Sequence, residues 1–244
     1  MRTLIPPNDS DPLEPALPLR DLIFFILVVL AGVLFAINMM PLWLPSLSYS
    51  ITGDAPKVYW FLSRGSAIAA YWLLWLSVGL GVGMTNKLAK VWPGIASTYE
   101  IHQFTSLLGL GFALFHGLIL MGDQYMNFSL VQVLLPFSTQ SYRPGWVGIG
   151  QTAFYVWAVI VASFYLRKRI KGKNWRLLHY AGYVCFLAVM VHSIFSGTDV
   201  STAWFHYLYW FSGATLLLLV VYRVVIVATR RIIQKTNSQV GTAL

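Results

Sequence analysis

The chain has 244 residues, of which 57% are hydrophobic and only 10% charged, and its mean hydropathy is +0.66. Soluble domains carry about 25% charged residues, so this composition indicates a membrane protein. The net charge is +9, but the basic residues are distributed as membrane topology requires and not as in a nucleic-acid-binding surface. We therefore expect a lipid bilayer as the surroundings and no nucleic-acid partner.

Six apolar segments are long enough to cross a bilayer, which takes about 20 helical residues. In chain order they are 22–40, 58–84, 98–121, 146–166, 177–196 and 204–228. We predict an all-α membrane protein, a bundle of six transmembrane helices that leaves no room for a soluble enzymatic domain. We expect residues 1–20 to form a proline-rich cytoplasmic tail, residues 21–234 the six-helix domain and residues 235–244 a short C-terminal tail. The first tail lacks the order of a signal peptide, so we expect the first span to be a retained anchor.

The basic residues predict how the spans are oriented. With the N terminus inside, fourteen Lys and Arg residues fall in inner segments and three, Lys57, Arg64 and Arg143, in outer ones. This asymmetry predicts that both termini are cytoplasmic, in a multi-pass protein of the bacterial inner membrane. The most basic inner loop, 167–176, is also suited to acidic lipid or an acidic partner. The single cysteine, Cys185, excludes an intrachain disulfide and a cysteine-based metal site.

Four histidines lie within the predicted spans: His102 and His116 in the third, His179 and His192 in the fifth. Both spans run from inside to outside, so depth pairs His102 with His179 on the inner side and His116 with His192 on the outer side. A rise of about 1.5 Å per residue puts the two levels roughly 20 Å apart. Imidazoles within a membrane are costly and usually functional. Two pairs at this separation are typical of two haems with bis-histidine ligation, whereas zinc needs all its ligands around one ion.

The angular positions on ideal helices agree with this reading in the third span and not in the fifth. His116 returns to within about 40° of His102, and Gly109, midway between them, shares their face, where a missing side chain lets a porphyrin or a neighbouring helix approach. His192 is roughly 140° from His179. We therefore expect either a distortion of the fifth helix between them or an irregular first turn that carries His179. A lone buried histidine is more often structural, so the set of four is what indicates ligands.

Three motifs carry a resemblance to a known family. The third span has two histidines with thirteen residues between them, and the fifth has Trp175-Arg176-Leu177-Leu178-His179, then twelve residues and His192. Residues 63–67 at the outer end of the second span read Ser-Arg-Gly-Ser-Ala. In these residues the chain resembles the ferric reductase-like transmembrane domain, shared by NADPH oxidases and metalloreductases, over about residues 20–230. NADPH oxidases carry an arginine where this chain has Arg64.

The resemblance implies two b-type haems held by the four histidines, and electron transfer from a cytoplasmic flavin- and NAD(P)H-linked donor to an outer acceptor. That acceptor would be a ferric chelate, oxygen or a periplasmic redox protein. Family members that act alone append a flavin- and NADPH-binding domain, but this chain has no glycine-rich phosphate-binding motif. We therefore expect FAD or FMN only in a separate flavoprotein reductase that docks on the basic inner loops. The chain would be an oxidoreductase component that needs this partner.

Three arginines receive expected roles by the same resemblance. Arg64 would neutralise an outer haem propionate or orient an anionic or oxygen acceptor, and Arg176 or Arg223 would meet inner propionates. An unpaired arginine at the membrane margin is costly, so we expect Arg64 to have a partner, unless it extends to the interface.

Two other functions stay open. A quinol-linked dihaem cytochrome b subunit would anchor a separate redox enzyme and would need a polar quinone pocket near one haem, which the sequence does not identify. A non-redox structural or haem-sensing membrane protein is the alternative if the histidines carry no haem.

Overall fold

The computed structural model describes residues 18–43, 58–86, 88, 94–123 and 125–241, without the side chains of residues 36, 37, 40, 41, 43 and 230–241. The predicted N-terminal tail lies almost wholly outside the described residues, as do Lys57 and the last three residues.

The described residues form seven α-helices and no strand, so the all-α prediction is confirmed. The helices are α1 (Leu19–Trp43), α2 (Val58–Thr85), α3 (Ile95–Ile119), the short α4 (Leu130–Leu134), α5 (Pro144–Tyr165), α6 (Gly172–Ser196) and α7 (Ala203–Gly241). A 3-10 turn, Leu120–Gly122, extends α3.

Five of these helices are long and apolar enough to cross a membrane: α2, α3 with its 3-10 turn, α5, α6, and α7 as far as Thr229. The chain is therefore a helical multi-pass membrane protein. The first predicted span corresponds to α1; its crossing, and with it the cytoplasmic position of both termini, stays a prediction. Helix α7 continues to Gly241, past the predicted end at residue 228. The apolar run ends there, but no proline or glycine interrupts the chain before Gly241.

Two antiparallel hairpins of helices position the histidines. Helices α2 and α3 pack closely along their length, and so do α5 and α6. Small residues of α2, among them Ser63, Ala70 and Ser77, are buried, and small side chains let membrane helices approach closely. In the described part of the chain, α3 and α6 scarcely touch each other directly. The two histidine-bearing helices therefore face each other across a space.

A packed aromatic core lies between the two histidine levels. Tyr71, Trp157 and Phe186 are each 3% exposed, and the ring centroids of Tyr71 and Phe186 are 5.6 Å apart. This core joins α2, α5 and α6 at mid-depth, and it keeps water out of the region between the levels.

Candidate functional site

The structure brings the four histidines together in the two pairs that depth predicts. The ring centroids of His102 and His179 are 5.9 Å apart, and those of His116 and His192 are 6.3 Å apart. In both pairs the ring planes are inclined by 68°. Each pair joins one ring from α3 to one ring from α6, so each site lies in the space between the two hairpins.

The irregularity expected in the fifth span is absent, and this expectation was wrong. Helix α6 is continuous from Gly172 to Ser196, and His179 lies well inside it. The ideal-helix angle describes only the directions of the Cα–Cβ bonds, whereas an imidazole extends further and turns about its own torsions. Because the helix is continuous, the side-chain torsions of His179 and His192 must account for the difference between their Cα–Cβ directions.

Helix α2 holds both histidines of α3 through the same contacts. The Nδ1 atom of His116 lies 2.9 Å from the carbonyl oxygen of Ser63, and that of His102 lies 2.8 Å from the carbonyl oxygen of Ser77. A carbonyl oxygen only accepts, so each Nδ1 carries the proton and donates it. The lone pair is then on Nε2, as in most metal-ligating histidines, whose other ring nitrogen donates to a carbonyl or carboxylate.

The histidines of α6 are held differently. The Nδ1 atom of His192 donates to the carbonyl oxygen of Trp146 on α5, at 2.8 Å. A Cβ atom at Gly150 would lie 2.5 Å from the same Nδ1, so only glycine leaves room for this ring. His179 instead stacks on Trp175, with centroids 5.1 Å apart and planes inclined by 22°.

A cavity surrounds the outer pair. Both His116 and His192 line it. The lining is mostly apolar and aromatic, including Trp157, Phe154 and Leu208. An apolar cavity with a few polar groups is the usual setting of a bound cofactor, and this one lies at both imidazoles of the outer pair.

Unpartnered polar atoms lie near both pairs. In the described part of the chain, Gln151 Oε1 and Ser196 Oγ are buried without a hydrogen-bond partner, and both residues line the outer cavity. On the inner side the same holds for Nε1 of Trp175, the indole stacked on His179. Buried polar groups normally have partners, so these atoms indicate polar groups of a ligand or ordered water.

The donor set is suited to haem. Two metal–nitrogen bonds of about 2 Å on opposite sides of one ion place imidazole centroids roughly 6 Å apart, as in both pairs. No group of three or more His, Cys, Asp or Glu residues in the described ranges is placed to hold a metal ion. Each site therefore offers two protein ligands, and the four nitrogens of a porphyrin would complete the usual six.

The other predicted site residues have different surroundings. Arg64 forms a salt bridge with Asp199 on the loop between α6 and α7, and both line the outer cavity. Gly109 lies against neighbouring helices, because a Cβ atom there would come within 2.7 Å of the Trp157 ring and 3.0 Å of Leu73 Cβ. Of the two roles expected for Gly109, its surroundings match the approach of neighbouring helices.

On the inner side, Arg176 is exposed and lies three residues before His179 on α6. Arg223 donates to the carbonyl oxygen of Thr85 at 2.8 Å, at the end of α2. Arg223 therefore binds the C-terminal end of α2, where the helix dipole favours a positive charge.

Sequence reasoning missed the residues that orient the imidazoles: Ser63, Ser77, Trp146 and Gly150. One signal was present, since Ser63 and Ser77 are fourteen residues apart, as are His102 and His116. Trp146 acts through its backbone, which no side-chain pattern reveals.

No family model, no curated protein and no solved structure matches this chain. The resemblance to the ferric reductase-like domain therefore depends on the quoted motifs alone, and function has to be inferred from the site.

Proposed function

We propose that the chain transfers electrons across the membrane through two b-type haems. His102 and His179 would hold the inner haem, and His116 and His192 the outer one. When bound, each haem supplies a one-electron couple of its iron. The observation that carries the proposal is the pair of imidazole separations, 5.9 Å and 6.3 Å, each between one ring of α3 and one ring of α6.

The residues of the chain do three things in this function. The four imidazoles would hold the two haems, and ligation of each iron by two imidazoles would favour electron transfer over oxygen binding at the metal. Backbone carbonyls hold three of the four rings with Nε2 free for ligation. The core around Tyr71 and Phe186 excludes water between the levels, so packed side chains would separate the two haems.

A cytoplasmic flavoprotein reductase is the proposed donor. In the inner loop 167–176, Lys168, Arg169, Lys171, Lys173 and Arg176 are exposed. A cluster of exposed positive charge steers and orients an acidic partner surface. The outer acceptor would approach the cavity at the His116–His192 pair. This orientation rests on six spans with both termini inside, in a bacterial inner membrane.

Haem content tests the proposal directly. The purified protein should show a b-type α band in a dithionite-minus-oxidised spectrum, with two haems per chain. His116→Ala or His192→Ala should remove mainly the outer haem, and His102→Ala or His179→Ala mainly the inner one. The matched control is His206→Ala, since this exposed histidine belongs to neither pair. A wild-type protein without the band, or unchanged haem in all four variants, would refute the proposal.

A quinol-linked dihaem cytochrome b subunit is the second candidate. It is favoured by the outer cavity, where the unpartnered atoms of Gln151 and Ser196 are suited to a hydrogen-bonding ligand beside the His116–His192 pair. Reduction of the haems by a quinol, without any flavoprotein, would support it. Reduction only by a flavoprotein with NAD(P)H would support the first function.

A further inference from the structure

The two histidines of α3 meet one repeated arrangement on α2. Ser63 faces His116 and Ser77 faces His102, and each serine contributes both its carbonyl and its hydroxyl group. Ser63 Oγ lies 2.8 Å from Nδ1 of His116 and donates to that residue's carbonyl oxygen at 3.0 Å. Ser77 Oγ lies 3.1 Å from Nδ1 of His102 and donates to its carbonyl oxygen at 3.3 Å. One geometry therefore occurs at both depths.

The hydrogen-bond donors and acceptors in this arrangement match one another. Each serine hydroxyl donates its one hydrogen to the histidine carbonyl, so a lone pair of Oγ is left toward the ring. The Nδ1–H group is then shared between the serine carbonyl and the serine Oγ. Ser63 and Ser77 are 2% and 3% exposed, so water does not compete for these bonds.

A third serine on the same helix shows that this arrangement is specific. Ser66 is also buried, at 6% exposed, but its hydroxyl donates to carbonyl oxygens of its own helix, those of Leu62 and Ser63. Bonding back to the preceding turn is the ordinary behaviour of a helical serine. Ser63 and Ser77 bond across to α3 instead.

We propose that Ser63 and Ser77 are positioning residues for the two metal-ligating imidazoles of α3. This inference rests on the proposed function. Each serine keeps the proton on Nδ1 and aims Nε2 at the partner ring from α6. Hydrogen-bond acceptors at Nδ1 make an imidazole a stronger donor to the metal, which stabilises the oxidised state of the iron. The α2–α3 hairpin thus presets one half of each site, and each serine tunes the reduction potential at its own depth.

The test is a redox titration of single-serine variants. Ser63→Ala should raise the midpoint potential of the outer haem only, and Ser77→Ala that of the inner haem only. The serine carbonyl remains, so we expect an upward shift of at most about 59 mV, which is a tenfold change for a one-electron couple. The affinity of the affected site for haem should fall about tenfold. Repeating the titrations in His102→Ala and His116→Ala backgrounds, with one haem each, assigns every shift.

Two further variants separate positioning from simple packing. Ser163→Ala on α5 removes a buried hydroxyl that donates to the carbonyl oxygen of Ile160 on its own helix, and it should leave both potentials unchanged. Ser63→Thr keeps a hydroxyl group, so the midpoint potential of its outer haem should lie close to the wild-type value. This variant can be measured even where Ser63→Ala folds poorly.

Three outcomes are decisive. A wild-type protein without haem overturns the proposed function itself. Two haems with potentials unmoved in Ser63→Ala and Ser77→Ala overturn only the positioning role. A shift in Ser163→Ala as large as in the other two also overturns it, because the effect would then be general packing.

Discussion

Replacing Gly150 with alanine should selectively damage the outer haem site. Gly150 lies one turn after Trp146 on α5, and the carbonyl oxygen of Trp146 accepts from His192 Nδ1 at 2.8 Å. A Cβ atom at position 150 would lie 2.5 Å from Nδ1, 2.6 Å from Cγ and 2.7 Å from Cε1 of His192. Ordinary contacts are about 3.5–4.0 Å, so the ring has to move by roughly 1 Å. That movement stretches the hydrogen bond past its useful range.

The magnitude follows from this displacement. Overpacking costs about 1–3 kcal/mol of unfolding free energy. Metal-site geometry tolerates errors of about 0.5 Å, so a ring displaced by roughly twice that should no longer ligate. Loss of the ring's supporting hydrogen bond alone costs about 10–100-fold in affinity. We expect Gly150→Ala to be purified with one haem per chain, measured as pyridine haemochromogen against protein, and with a lower thermal midpoint in detergent.

The matched control is Gly32→Ala on α1, an exposed position where an added Cβ atom meets nothing within 4 Å. It should keep two haems and gain up to about 1 kcal/mol from the better helix propensity of alanine. The reasoning would be refuted if Gly150→Ala retained both haems with an unchanged midpoint potential of the outer haem. The His192 ring would then accommodate the added Cβ atom without losing its position.

Two further substitutions test the surroundings of the sites. Gly81→Ala brings a Cβ atom to 3.4 Å from Cε1 of His102, which requires a shift of only a few tenths of an ångström, so both haems should be retained; a haem ratio of one would contradict this. Asp199→Asn removes the charged partner of Arg64. Because the side chains of Asp199 and Arg64 are 23% and 33% exposed, we expect the unfolding free energy to fall by about 1 kcal/mol, a value between those of exposed and buried ion pairs. A double-mutant cycle with Arg64→Gln, followed by thermal melting, measures the coupling free energy of the two side chains. A coupling free energy of zero would mean that the ion pair contributes nothing to stability.

Some features follow from the sequence because they depend only on the position of residues along the chain. The length of an apolar run decides whether a helix can cross a bilayer, and five crossing helices were predictable for that reason. Position along a helix likewise decides depth, so the pairing of His102 with His179 and of His116 with His192 needed only the direction of each span. Helix α7 continues beyond its predicted span, because hydropathy falls at the membrane edge whereas helix propensity continues into water.

The supporting contacts depend on the tertiary structure. Which face of α2 meets α3, and how α6 is inclined, are set by the packing of side chains from several helices at once. Only that packing places the carbonyl oxygens of Ser63 and Ser77 at the two imidazoles, Gly150 under His192, and Asp199 at Arg64. The sequence alone determined that four histidines form two levels in a helical membrane protein. The fold decided how each ring is held, because hydrogen bonds between helices depend on their rotation and closeness, which a single sequence does not encode in any local pattern.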